Sequence, residues 1–117
     1  MALSRLAGEF AAEIKNHDWT DAPYRTDRAG HQRSVDNRAT ETLTDAQTDA
    51  VRMNVMWVAA QVLGHRDPNF DEYEFAEACG VNTRTSRGAR SGVIRSGLRI
   101  DSEGHYAAPG TWDFPQK

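Results

Sequence analysis

Between Thr44 and Leu63 apolar side chains recur at helical spacing without a proline or glycine to interrupt them, and any fold of this chain must be built around that element. Thr44 followed three residues later by Gln47 is a capping-box pattern, in which each side chain accepts the backbone N–H of the other residue. Val51, Val55, Val58 and Val62 then follow at intervals of four, three and four, the period of one helix face. Met53, Met56, Trp57, Ala59, Ala60 and Leu63 widen that face. A core helix over 44–63, buried nearly all round, is the expectation, with Gly64 placed to close it in a left-handed turn. Its surplus apolar width could also cover the interface of a homodimer.

A chain of 117 residues has material for one domain and one core. A second helix is expected over residues 4–16. Leu6, Phe10 and Ile14 recur every fourth residue with Ala7 and Ala11 beside them, while Arg5, Glu9 and Glu13 face away. From 17 to 42 the periodicity vanishes. That stretch holds Pro23, Gly30 and alternating charges (Asp21, Arg25, Asp27, Arg28, Arg33, Asp36, Arg38, Glu41), the composition of a solvated polar loop that is either disordered or functional. Trp19 and Tyr24 are placed to pin its start to the core.

After a turn at HRDPNF (65–70), Asp71 with Glu74 three residues later forms another capping pattern, and Phe70 can pack on Phe75 across it. The helix that follows is short and ends at Gly80, with Tyr73, Phe75, Ala76 and Cys79 turned inward. Cys79 reads as a small buried hydrophobe.

The stretch EYEFAEACGVNTRTSRGARS, residues 72–91, resembles a helix-turn-helix. Ala76 is small where two helices would cross, Gly80 accepts the positive φ of a sharp turn, Val81 is apolar just after it, and Ala89 would face inward from a second helix capped by Thr83 or Asn82. Ser86 stands where that family places an aliphatic residue, and Gly88 and Gly92 weaken a helix there. Beyond it, GLRIDSEGHYAA reads as two short strands about a Ser102 to Gly104 turn, with Leu98 and Ile100 facing Tyr106 and Ala108. Together, residues 71–108 resemble a winged helix-turn-helix DNA-binding domain. The expected fold is a mainly α, compact helical domain with a helix-turn-helix-like segment and a small C-terminal β-hairpin, the wing, followed by a tail over 109–117 whose Trp112 and Phe114 tuck against the helices or a second subunit.

Charge is divided unevenly. Residues 1–80 carry 8 basic and 14 acidic groups; residues 81–117 carry 6 basic and 3 acidic. Arg84, Arg87, Arg90, Arg95 and Arg99 fall in a segment without a single acid. Arginine both neutralises phosphate and reads guanine edges in the major groove. Thr83, Arg84, Arg87, Arg90, Ser91, Arg95 and Arg99 are therefore the expected contacts to duplex DNA, as in a transcriptional regulator of phage or prophage origin. The alternative is a non-enzymatic adaptor or inhibitor that binds a host protein through the acidic N-terminal half.

Other chemistry finds little material. One cysteine excludes an intrachain disulfide, no stretch approaches the about 20 apolar residues of a membrane span, and charges interrupt the N-terminal apolar residues of any signal sequence. His17, His31, His65 and His105 lack the spacing of a zinc site, and neither a nucleophile elbow nor a phosphate-binding glycine loop is present. No catalytic residue, metal or cofactor is expected, and the compartment expected is the cytoplasm.

Overall fold

The structure is a computed structural model that describes residues 3–26 and 39–114. It is mainly helical: α1 (Arg5–Asn16), a single 3-10 turn (Ala22–Tyr24), α2 (Asp45–Arg66), α3 (Glu72–Ala78) and a one-turn α4 (Val93–Ser96). The helix starts are the ones their capping residues dictate. Ser4 accepts the Ala7 N–H at 3.1 Å, Thr44 and Gln47 form the reciprocal box at 3.1 and 2.9 Å, and Asp71 accepts from Tyr73 and Glu74. Phe70 stacks on Phe75 with ring centroids 5.3 Å apart, and Gly80 ends the turn after α3 at φ +85°.

The core lies where α1, α2 and α3 meet. Ala7, Ala11 and Ile14 of α1 pack with Met56, Ala60 and Leu63 of α2 and with Phe75 and Ala76 of α3 and its C-cap residue Cys79. A Cβ at Gly80 would lie 3.4 Å from Lys15 Cγ and 3.8 Å from Arg52 Cδ, so the end of α1 sits beside the first half of α2 and the two helices run antiparallel.

Three expectations about these helices are corrected. The buried stripe of α1 is its alanine side: Leu6 is 57 % and Phe10 46 % exposed. Small residues let α1 approach its neighbours closely, which turns the bulkier pair outward. α2 is not buried all round either, since Val58 is 73 % exposed. Nor does Gly64 end it. The helix continues to Arg66, and Gly64 is a point of close approach at which an added Cβ would stand 2.3 Å from the Tyr106 ring.

The expected loop over 17–42 is anchored at its described start. Asp21 is buried, its carboxylate bonded to Arg25 Nε at 2.6 Å and to the Ala39 N–H at 3.0 Å, while Arg25 also donates to the Asp18 carbonyl. Trp19 donates to the Ile14 carbonyl and packs on the core; Tyr24 remains exposed. The rest of that expectation, residues 27–38, lies outside the described residues.

The C-terminal third departs most from expectation. Residues 81–92 form no helix. Asn82 Oδ1 accepts the Arg84 N–H, Thr85 Oγ1 accepts from Arg87 and Ala89, and Thr85 N–H donates to the Ala89 carbonyl at 2.7 Å. These short side chains offer the backbone local partners that compete with a helix, and Gly88 at φ +80° completes a tight reversal. The result is a small hairpin-like loop pinned by a lone antiparallel bridge, Arg84 to Arg90. Ala89, expected inward, is exposed, and Thr83 caps nothing.

The wing is not formed as two strands. Its reversal occurs where expected, but among the described residues it amounts to one bridge, Ile100 to Tyr106. Asp101 gathers the turn by accepting from Glu103 and His105 N–H; beside the bridge Asp101 N–H donates to the His105 carbonyl and Ala107 N–H to the Arg99 carbonyl, each at 2.9 Å, while the Arg99 N–H turns to Gln61 and the Ala108 N–H to the Asp113 carbonyl. Trp112 is exposed rather than tucked in, with the Arg99 guanidinium 5.7 Å from its ring centre.

Candidate nucleic-acid interface and an apolar groove

The acid-free segment between Glu77 and Asp101 leaves α3 at Gly80, and the polar loop 82–91 projects from the core. Val81 and Thr83 tie its base down: both are buried, and Thr83 Oγ1 donates to Glu77 Oε2 at 3.1 Å. Ser91 is tied as well, its carbonyl accepting the Tyr73 hydroxyl at 2.7 Å and its Oγ the Val93 N–H. Thr83 and Ser91 therefore frame the loop, and their side chains are committed to α3 and to the start of α4.

The five expected arginines are held differently, three of them on the loop 82–91 and two beyond it. Arg84 and Arg87 are exposed and make no side-chain bond or ion pair among the described residues. Arg90 lies over the Tyr73 ring at 4.3 Å from its centre. Arg95 pairs with Glu72 at 3.1 Å, and the same carboxylate accepts the Tyr106 hydroxyl at 3.2 Å. Arg99 donates to the Thr111 carbonyl at 2.7 Å and so braces the tail. Bridge partners project from the same face of a ribbon, and like charges placed directly opposite are unfavourable. The Arg84 and Arg90 pair is thus an arrangement that folding alone would not select, relieved on one side by the Tyr73 ring.

A different surface lies on the opposite half of the chain. Leu6 and Phe10 of α1 with Val55, Val58, Ala59 and Val62 of α2 line a groove of about 670 Å³, and Arg66 stands at one end as its lone charged lining residue. The sequence places all but Arg66 on the apolar faces of α1 and α2 without separating core from surplus width, because a helical period shows which residues share a face and not whether that face is covered. The signal present in the sequence was width: α1 carries Ala7, Ala11 and Ile14 as well as Leu6 and Phe10, more apolar arc than one contact consumes.

A smaller polar cleft of about 390 Å³ opens between the end of α2 and the 101–105 turn, lined among others by His65, Glu72, Arg95 and His105. Asp101, Glu103 and His105 bring ligand-type atoms within 4.8 Å of one another there. The Asp101 carboxylate is occupied in holding the turn: Oδ1 accepts the His105 N–H at 2.8 Å and the Glu103 N–H at 2.9 Å, and Oδ2 lies 3.2 Å from His105 Nδ1. These bonds, the His105 amide first, hold its carboxyl below the usual range. Burial first, and then the neighbouring Glu72 carboxylate, push the Tyr106 hydroxyl up, so it stays protonated. Cys79 is fully buried, and burial pushes its thiol up to about 12, which disfavours the thiolate. No helix of the described residues is long and apolar enough to cross a membrane. No protein-family model, no curated protein and no solved structure matches this chain.

Proposed function

We propose that this chain is a small non-enzymatic protein that binds duplex DNA, with transcriptional regulation as its role, through the arginine loop 82–91. The observation that carries this reading is the pairing of Arg84 with Arg90 at the neck of an exposed, acid-free loop whose tip adds Arg87. A ribbon of this kind favours phosphate contact or insertion of an arginine into a narrow minor groove over the helix-in-major-groove mode that the helix-turn-helix resemblance implies. Arg95, half-exposed beside the loop, extends the basic surface. Thr83 and Ser91 act by shaping the loop, and Arg99 by bracing the segment behind it.

The reading is tested by mobility shift on duplex DNA at low salt. Wild type retards duplex DNA, and affinity falls steeply as salt rises. Replacing Arg84 and Arg87 together by Ala, two exposed side chains on which no packing depends, lowers the slope of log affinity against log salt by about 2. Absence of any retarded duplex, or a variant that binds as wild type does, would sink the proposal.

The apolar groove favours a second reading, a protein-interaction module that docks a host protein on α1 and α2. A stoichiometric partner that survives nuclease treatment and is lost on Val58→Asp would support it.

A further inference from the structure

We infer that the loop takes A·T-rich duplex DNA by inserting Arg87 into its narrow minor groove while Arg84 holds a bordering phosphate. This rests on the DNA reading above and adds to it the class of duplex and the groove. Hydrogen bonds define the shape of the tip. Thr85 N–H to the Ala89 carbonyl at 2.7 Å and Ser91 N–H to the Thr83 carbonyl at 2.8 Å flank the Arg84 to Arg90 bridge, which makes the two arginines the closer, non-hydrogen-bonded kind of cross-strand pair. Ser86 and Arg87 then turn the chain, with the Gly88 N–H donating to the Thr85 carbonyl at 2.9 Å and Gly88 itself at φ +80°. Arg87 is the long side chain of that tip; Ser86, Gly88 and Ala89 beside it are small, and all of 84–90 is exposed.

Dimensions decide how such a tip enters a duplex. Two paired strands lie about 4.8 Å apart before any side chain is added, so the ribbon is too thick for a minor groove about 6 Å wide. One extended arginine is not, and the small neighbours of Arg87 let the groove walls close on it. The major groove, about 12 Å wide, would admit the ribbon, but reading bases there takes side chains that tell them apart. The polar side chains of the loop are already engaged: Asn82 Oδ1 accepts the Arg84 N–H, Thr85 Oγ1 accepts from Arg87 and Ala89, and Thr83 Oγ1 donates to Glu77. Arg90 lies on the Tyr73 ring. Besides the small Ser86, the loop offers a duplex arginine charge, and charge reads groove width. A·T tracts narrow the minor groove and deepen its negative potential, which draws in a guanidinium without any base-specific bond.

The acids below the loop favour the same entry. The loop stands on α3, whose Glu72, Glu74 and Glu77 would face phosphate oxygens if the chain lay flat along a groove. From Thr83 and Ser91 to the tip the ribbon rises about 10 Å, at about 3.4 Å per residue, somewhat more than the screening length of about 8 Å at physiological salt. Entry by the tip therefore brings Arg84 and Arg87 to the duplex and leaves the carboxylates screened from it.

The test is mobility shift at one low salt concentration on three duplexes of equal length, built of A·T, G·C or inosine·cytosine pairs. Inosine lacks the guanine N2 amino group, so its pair with cytosine resembles A·T in the minor groove and G·C in the major groove. Wild type binds the A·T and inosine duplexes alike, about tenfold more tightly than G·C. Arg87→Ala, at an exposed tip residue, levels the three affinities and lowers the salt slope by about 1. Arg87→Lys keeps the slope and loses most of the preference, because an ammonium gives up its water less readily. Arg84→Ala lowers the slope and leaves the preference intact. An inosine duplex bound as weakly as G·C overturns the inference in favour of the major groove, and three equal wild-type affinities overturn it in favour of phosphate contact alone; in both cases the DNA reading stands. A preference that survives Arg87→Ala overturns the insertion of Arg87. Retardation of none of the three duplexes removes the DNA reading and the inference with it.

Discussion

Where α1 meets α2 and α3, contact is between apolar side chains on regular helices, whereas from Val81 onward the described chain has a single turn of helix and, besides the apolar side chains of Val81, Ile94, Leu98 and Tyr106 that it sends into the same core, is held by side chains bonded to its backbone. Gln61 shows the contrast most plainly. Its Oε1 accepts the Arg99 N–H at 2.9 Å and its Nε2 donates to the carbonyls of Arg99 and Ala107 at 3.2 and 3.3 Å, so one carboxamide does for this segment what a neighbouring strand would do in a sheet. Trp57 Nε1 likewise donates to the Ile94 carbonyl at 2.8 Å. Apolar packing spreads its stabilisation over many small contacts; polar anchoring concentrates it in a few bonds, each costly to lose once buried.

That difference predicts where the molecule breaks. The largest effect is expected at Gly97, where a Cβ would stand 2.0 Å from Trp57 Cε2 and the indole is fixed by its bond to Ile94. Gly97→Ala should cost about 3 kcal/mol of stability in chemical denaturation; a loss within error of zero would mean that the C-terminal segment slides on α2 and is not anchored. Gln61→Leu comes next, at about 2 kcal/mol for the buried backbone groups it strands. Hydrogen exchange should quicken at Arg99 and its neighbours while the amides of α1 stay protected, and uniform acceleration would refute the division into two regimes.

The smallest effect concerns the 101–105 turn. Since the folded Asp101 carboxyl lies below its ordinary 3.8, its contribution is complete above that value and is lost as pH falls through the folded one. Amide shifts of Glu103 and His105 should therefore move in acid before those of α2 do. A turn that holds until global unfolding would assign its stability to packing instead.

What could be read from the sequence follows the same division. Ser4, Thr44 and Asp71 mark helix starts through bonds confined to three residues, so α1, α2 and α3 were legible, as were the stop at Gly80 and the inward Cys79. Past Gly80, structure depends on side chains 37 to 46 positions away, such as Trp57 on Ile94 and Gln61 on Ala107, and no local pattern encodes those pairings. Asn82, Thr85 and Gly88 did signal a loop, but Arg84, Arg87 and Arg90 at intervals of three imitate a helix face. For the candidate site, the arginines could be named from the sequence, while the loop that carries Arg84, Arg87 and Arg90, the bracing role of Arg99 and the groove beside Phe10 emerge only from packing.

Trp57, Gln61 and Gly64 stand four and three residues apart on α2, a single stripe that seats Ile94, then Arg99 and Ala107, then the ring of Tyr106. The helix thus serves as a ruler for everything downstream, and its phase matters more than any one tooth. One residue inserted or deleted between Trp57 and Gly64 turns the marks beyond it by about 100°, and the three seats can no longer be filled together. Length changes over evolutionary time should therefore accumulate in the turns of the C-terminal third, while this stretch of α2 keeps its residue count.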